Sequence, residues 1–187
     1  AVNTNTGNNA PVADAGPNFT IPRSTPFILE GSATDADSDP ITYCWEQYDK
    51  QVATMPPSAS STSGPAFRSL DPSTSPDRYM PNLTNVVNNT NNTWEVLSNV
   101  TRNYNFKLTA RDNHASGGCT DDDNMTVSVS ASSGPFLVLS PNTNVSWPGN
   151  SSQTITWDVA NTTASPVNCA NVDIFLSYDG GFTYPVT

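Results

Sequence analysis

Short segments in which apolar and polar residues alternate recur along the whole chain, and turn-forming residues separate them. Alternation with a period of two is typical of β-strands that turn one face toward a core. No segment keeps a helical period, so the pattern predicts an all-β protein. The predicted strands are NFTIP, PFILEGSA, ITYCWEQY, AFRSL, TWEVL, YNFKLTARD, NMTVSVSA, FLVLS, QTITWDVA, NVDIFLSYD and FTYPV.

The small, polar sequence SASSG at 130–134 divides the predicted strands into two series. The first series predicts a sandwich of two antiparallel sheets at 10–131. The second series predicts a partial β module at 136–187, joined to the first by a linker at 132–135. The polar, Asn- and Thr-rich start of the chain, 1–9, is predicted to be a linker too.

Within the first series, alternation also indicates which residues face the core. Ile41, Tyr43 and Trp45 share one face of their strand. The other predicted core residues are Phe106, Leu108, Ala110, Met125, Val127 and Val129. Residues 50–103 are proline-rich and irregular, so we expect a long polar insertion there. Its expected anchors are Phe67, Tyr79 and Trp94.

The charge balance limits the classes of partner. Seven basic and 17 acidic residues give a formal net charge of -10. Such a chain repels phosphate backbones and anionic membranes, so we expect cations rather than nucleic acid as partners. No apolar run approaches the ~20 residues that a membrane span needs, and no membrane span is expected.

Several segments together resemble a known architecture. The opening, NNAPVADAGPNFTIPRSTPFILEGSATDADSDPITYCWEQYD, is similar to the start of a PKD-like or cadherin-like module of immunoglobulin type. A second set of segments resembles the region that follows the catalytic domain in secreted reprolysin-type zinc metallopeptidases of gliding and marine bacteria. These segments are GPAFRSLDPSTSPDRYMPNL, TWEVL, NFKLTARDN and VNCANVDIFLSYDGGFTYP, in this order.

The resemblance implies an immunoglobulin-like (PKD/cadherin-like) antiparallel sandwich followed by a second, partial immunoglobulin-like module. It also implies a secreted or cell-surface location and a covalently linked catalytic domain, which alone would hold zinc. This chain has no HExxH zinc motif, and its one histidine, His114, lies in a predicted loop. We therefore expect a non-catalytic accessory segment that acts as a spacer or attaches the enzyme to a protein or polysaccharide surface.

Aspartates concentrate in two predicted loops, TDADSDP at 34–40 and RDNHASGGCTDDDN at 111–124. In an immunoglobulin-like topology these loops lie at the same end of the sandwich. Ca²⁺ takes six to eight oxygen ligands, so the two loops predict a calcium site. Its candidate ligands are Asp35, Asp37, Asp39, Asp112 and Asp121. The alternative is that these aspartates form turns, because Asp side chains bond to their own backbone there.

Three cysteines allow one disulfide and leave one thiol. Cys44 points away from the core face beside Trp45, and Cys119 lies in the acidic loop expected near the start of that strand. We therefore predict a Cys44–Cys119 disulfide, with two separate thiols as the alternative. Cys169 is expected to be free.

Three features of the remaining sequence lead to predictions. SYDGGFT at 177–183 is similar to an Asp-box and predicts a structural hairpin turn. The partial second module is expected to leave an edge strand unpaired, which would associate with another chain or with the first module. A rival function, an adhesin or carbohydrate-binding module, needs exposed rings that stack on sugars. The candidate rings are Trp94, Trp147 and Tyr184.

Overall fold

A computed structural model describes residues 6–185. The first five residues of the predicted linker and the end of the predicted FTYPV strand lie outside the described residues. Ten strands and one five-residue helix occur within them, so the all-β prediction is confirmed. The elements are β1 (Val12–Asp14), β2 (Phe19–Pro22), β3 (Phe27–Leu29), β4 (Ser32–Thr34), β5 (Ile41–Gln47), β6 (Arg78–Met80), α1 (Leu83–Val87), β7 (Arg102–Asp112), β8 (Thr120–Ser130), β9 (Leu137–Ser140) and β10 (Thr156–Asp158).

The main sheet has the strand order β2-β8-β7-β5. Its two eleven-residue strands, β7 and β8, pair antiparallel from Arg102 opposite Val129 to Arg111 opposite Thr120. β5 pairs antiparallel with the other edge of β7. β2 runs parallel to β8, which departs from the purely antiparallel sheets predicted. The immunoglobulin-like sandwich itself stays a prediction.

The core lies against one face of this sheet and follows the predicted alternation. The predicted core residues of β7 and β8 are buried, and so is Trp45 on β5. Leu29 of β3 and Met80 of β6 belong to the same cluster, because the β3–β6 ladder packs over the sheet. Gly31 follows β3 where the chain approaches closely: a Cβ there would lie 2.7 Å from Leu108 Cδ2.

The region predicted as a polar insertion, 50–103, is built into this core. Phe67 is buried as expected, whereas Trp94 is 45% exposed and its neighbour Glu95 is buried instead. Glu95 Oε1 accepts a hydrogen bond from Arg78 Nη2 at 2.9 Å, and both side chains are almost inaccessible. The predicted strands AFRSL and TWEVL are reduced to an isolated bridge between Phe67 and Glu95.

The second module, in contrast, has almost no interior. β9 pairs with β10 in a two-stranded ribbon, and the predicted strand NVDIFLSYD forms no ladder with any described residue. The large apolar residues of this part are mostly exposed, among them Trp147 and Phe175. Within residues 6–185 no helix has the length and apolar character that a membrane crossing requires.

Candidate calcium site

The first acidic loop folds around the carboxylate of Asp35. Asp35 Oδ1 accepts hydrogen bonds from the backbone N–H groups of Asp37, at 2.9 Å, and Asp39, at 3.0 Å. This is the turn-forming behaviour that short acidic side chains show in loops. It fixes the backbone and leaves the second oxygen of Asp35 for another role.

Two adjacent asparagines tie the start of the chain to both acidic loops. The carboxylate of Asp37 accepts from the backbone N–H of Asn9 at 2.7 Å and from its side-chain amide at 3.1 Å. Asn8 Nδ2 donates to Asp112 Oδ2 at 3.0 Å. The loops themselves adjoin, since the backbone N–H of Asn113 donates to Pro40 O at 3.0 Å. The prediction that both loops lie at one end of the domain is therefore confirmed.

Three carboxylates of the first loop converge without partners for all of their oxygens. One carboxylate oxygen from each of Asp35, Asp37 and Asp39 lies within 4.8 Å of the others. Asp35 Oδ2 and Asp39 Oδ2 are buried and accept no hydrogen bond from any described residue, and the same holds for Asn8 Oδ1. A buried acceptor without a donor costs ~1–3 kcal/mol, and more when it is charged. Among the described residues, no basic side chain forms a salt bridge with these three carboxylates.

The dimensions of this cluster suit Ca²⁺. Calcium–oxygen distances of ~2.3–2.6 Å allow ligands of one ion to lie up to about 5 Å apart, and the three carboxylate oxygens lie within 4.8 Å of one another. The unpartnered oxygens are buried, and a bare cation needs less room beside them than a water molecule does. The donor set, carboxylate and amide oxygens on a loop, is the one that calcium prefers.

Asp112 is positioned for a structural role. Its side chain is fully buried, and Oδ1 accepts from the backbone N–H of Cys119 at 2.8 Å. Burial opposes ionisation of Asp112, but bonds from the Cys119 N–H, the Asn8 amide and the His114 N–H outweigh it and hold its pKa below the ordinary value. The close approach of Gly118 completes this enclosure, because a Cβ there would lie 2.9 Å from Asp112 Oδ1.

Asp121 also bonds to backbone, and it lies on a strand instead of in the predicted loop. Asp121 Oδ2 accepts from the N–H of Ala13, and Asp123 Oδ2 accepts from the N–H of Ala15, both at 2.9 Å. These carboxylates therefore accept hydrogen bonds from the N–H groups along the edge of β1 that does not pair with β4. Three of the five predicted ligands therefore come together, while Asp112 and Asp121 have other partners.

The predicted Cys44–Cys119 disulfide is not formed, and both thiols are free. Cys44 lies opposite Thr109 on one side of β7, whereas Cys119 bonds to Asp112 on the other side. Three residues of strand separate these positions by ~10 Å along β7, and a disulfide needs Cα atoms within ~7 Å. Burial, followed by the nearby Glu46 carboxylate, raises the pKa of Cys44.

Residues 177–183 fold tightly around Asp179, but the described residues on either side of them do not pair as the strands of the predicted hairpin. Asp179 accepts bonds from the N–H of Thr183 at 2.9 Å and from the hydroxyls of Ser177 and Thr183, both at 2.7 Å. These bonds, that of the Thr183 N–H foremost, lower the pKa of Asp179 from 3.8 to about 2. Both oxygens of this carboxylate accept hydrogen bonds from residues of the turn itself, so its role is structural.

A comparison of the chain with family models, with curated proteins and with solved structures finds no match. The resemblance to accessory regions of metallopeptidases therefore stays a prediction from the sequence.

Proposed function

We propose that the first module is a non-catalytic spacer that Ca²⁺ stabilises, with Asp35, Asp37 and Asp39 as ligands. The observation that carries this proposal is the convergence of three carboxylates in which Asp35 Oδ2 and Asp39 Oδ2 have no hydrogen-bond donor. Turn formation accounts for the hydrogen bonds to Asp35 Oδ1, but it supplies no hydrogen-bond donor to Asp35 Oδ2 or Asp39 Oδ2. A cation supplies the missing charge.

The amide oxygen of Asn8 is also buried without a partner, and its side-chain nitrogen bonds to Asp112 of the second loop. Asn9 already holds Asp37, so an ion in this cluster would brace the start of the module against its acidic end. A spacer benefits from such bracing because it fixes the direction of the chain that enters the module. The attachment to a secreted metallopeptidase, and the location outside the cell, rest on the sequence resemblance.

The proposal is tested by calorimetric titration of CaCl₂ into the full chain after treatment with EDTA. The informative variant is Asp39→Asn, because its orphaned Oδ2 has no protein bond to lose and the amide keeps the shape of the side chain. We expect Ca²⁺ to bind the parent protein and the variant to bind at least about tenfold more weakly, which corresponds to ~1.4 kcal/mol.

The matched control is Asp71→Asn, which removes the same charge at an exposed position outside both acidic loops. It should leave the affinity unchanged. Absence of binding at millimolar Ca²⁺ would show that the aspartates only form turns. Equal weakening by both substitutions would show that calcium responds only to net charge.

A second candidate, carbohydrate binding, is favoured by the exposure of its candidate rings. Trp94, Trp147 and Tyr184 are each exposed by more than two-fifths. The ring contacts among described residues do not join these three, and Tyr184 instead meets Phe175 at an interplanar angle of 58°. Affinity electrophoresis in neutral polysaccharides, with Trp94→Ala and Trp147→Ala, decides the point. Retardation that either substitution abolishes supports this function, and equal mobility of all three proteins with and without polysaccharide rejects it.

A further inference from the structure

Strand β9 presents apolar side chains that the described residues cover only by about half. Among the described residues it pairs with β10 alone, and Leu137, Val138 and Leu139 are 49%, 48% and 51% exposed. Since successive side chains of a strand point to opposite faces, both faces of β9 are about half exposed. Edge strands of soluble proteins are normally protected by charged side chains, yet residues 124–157 carry none.

Beside β9 lies a groove of about 830 Å³. Its lining includes Leu137 and Val138 of β9 and Val86 and Val87 of the α1 helix. The groove therefore leaves room next to β9 for an extended segment.

The same chain carries a segment that is suited to fill this room. Residues 171–175, NVDIF, have the alternation of a strand but form no ladder with any described residue. Ile174 and Phe175 are 54% and 52% exposed. An apolar edge without a partner and an apolar segment without a ladder thus occur in one module.

We propose that this surface is an interface between two copies of the chain. Residues 171–175 of each copy pair with the free edge of β9 in the other, and the two equal contacts close the assembly about a twofold axis. Five half-exposed large apolar side chains contribute on the order of 100 Å² each. The apolar area buried is then about 1,000 Å² over both copies, which is the lower limit for a specific interface.

Charge makes this association depend on salt. Each copy has a formal net charge of -10, so two copies repel, while each copy brings one charged residue, Asp173, to the contact. Salt screens the repulsion and leaves the apolar contact intact. The dimer should therefore be tighter at high ionic strength, opposite to an association held by ion pairs.

The test is sedimentation equilibrium of the full chain at low salt and in about 0.5 M NaCl. The protein concentration runs from about 1 µM to about 500 µM, which spans the Kd range expected of a minimal interface. Val138→Lys and Ile174→Lys each place a charge in the contact and should raise the dimer Kd at least about tenfold. Val52→Lys adds the same charge at a fully exposed position outside the strands and should leave the Kd unchanged. All three positions are exposed, so unchanged thermal unfolding checks that the variants fold.

Mixing the two interface variants separates the proposed exchange from direct pairing of two β9 edges. The Val138→Lys copy keeps an intact 171–175 segment, and the Ile174→Lys copy keeps an intact β9. The mixture should regain one of the two contacts and associate more tightly than either variant alone. A monomer at every concentration, a dimer indifferent to both substitutions, or a mixture without recovery would each overturn the proposal.

Discussion

The two modules have similar apolar patterns and very different interiors. In the first, Phe106 is fully buried within a cluster of aromatic rings, with its centroid 6.0 Å from that of Phe67 and 6.1 Å from that of Phe27. In the second, Phe175 is 52% exposed and contacts the ring of Tyr184. Alternation therefore indicates that a segment can form a strand, but a core requires a second layer on the other side.

The first module gains its second layer from the region that looks least regular in the sequence. Gln47 Oε1 accepts bonds from the N–H groups of Ala66 and Phe67, at 2.7 and 3.0 Å, and β6 pairs with β3. A buried ion pair, Arg78–Glu95, then fixes this layer. The described part of the second module has no counterpart to these contacts.

The largest expected effect comes from breaking the buried ion pair. Glu95→Gln leaves the buried guanidinium of Arg78 without a counter-charge, so unfolding by urea should show a loss of ~3–5 kcal/mol. Asp122→Asn removes one partner of the partly exposed pair Lys107–Asp122 and should cost at most ~1 kcal/mol. Equal losses in the two variants would contradict the view that Glu95 organises the interior.

Truncation of one phenylalanine in each module compares how much the two interiors contribute to stability. Phe106→Ala should lower the free energy of unfolding by ~3–5 kcal/mol, because it opens a cavity in a packed core. Phe175→Ala removes a ring that is half in solvent and should change it by no more than ~0.5 kcal/mol at a concentration where the protein is monomeric. A large loss from Phe175→Ala under those conditions would show that the second module has a core after all.

A smaller effect is expected where the two layers approach most closely. Gly31→Ala would place a methyl group 2.7 Å from Leu108 Cδ2 and 2.9 Å from Trp45 Cζ2. Overpacking of this kind costs ~1–3 kcal/mol. Gly149→Ala is the matched control, since nothing lies within 4 Å of the added atom, and its midpoint of urea unfolding should equal that of the parent.

The smallest effect concerns acid pH. The pKa of Asp179 is lowered to about 2, so its contribution to the turn is complete above the ordinary value of 3.8 and is lost as pH falls through 2. Asp112, with a pKa also lowered, should stabilise the first module in the same direction. Carboxyl titration followed by NMR should find both groups below 3.8, and an ordinary value for Asp179 would contradict the bonding described for the turn.

The sequence predicted the elements whose pattern is local and missed those that depend on contacts between distant segments. The core faces of β7 and β8 followed from alternation. Trp94 was expected to anchor the insertion, but its neighbour Glu95 is buried instead, because Glu95 pairs with Arg78, which lies 17 residues away. Asp121 was assigned to a loop, although it continues the inward face of β8 that carries Met125 and Val127.

The candidate site shows the same division. The spacing of Asp35, Asp37 and Asp39 was sufficient to bring them together, because a tight turn links them. Asn8 and Asn9 were not recognised, since a polar lead-in sequence carries no signal for the distant carboxylates that it meets. The cysteines were paired incorrectly because sequence does not specify on which side of β7 each thiol lies.

The most direct test of the calcium site is thermal unfolding of the full chain in EDTA, in millimolar Mg²⁺ and in millimolar Ca²⁺. A ligand at 100 times its Kd stabilises the folded state by ~2.7 kcal/mol and raises Tm by several degrees. We expect this rise with Ca²⁺, a smaller rise with Mg²⁺ and a much reduced rise in Asp39→Asn. Equal Tm values in EDTA and Ca²⁺, or an undiminished rise in Asp39→Asn, would contradict calcium binding by these three aspartates.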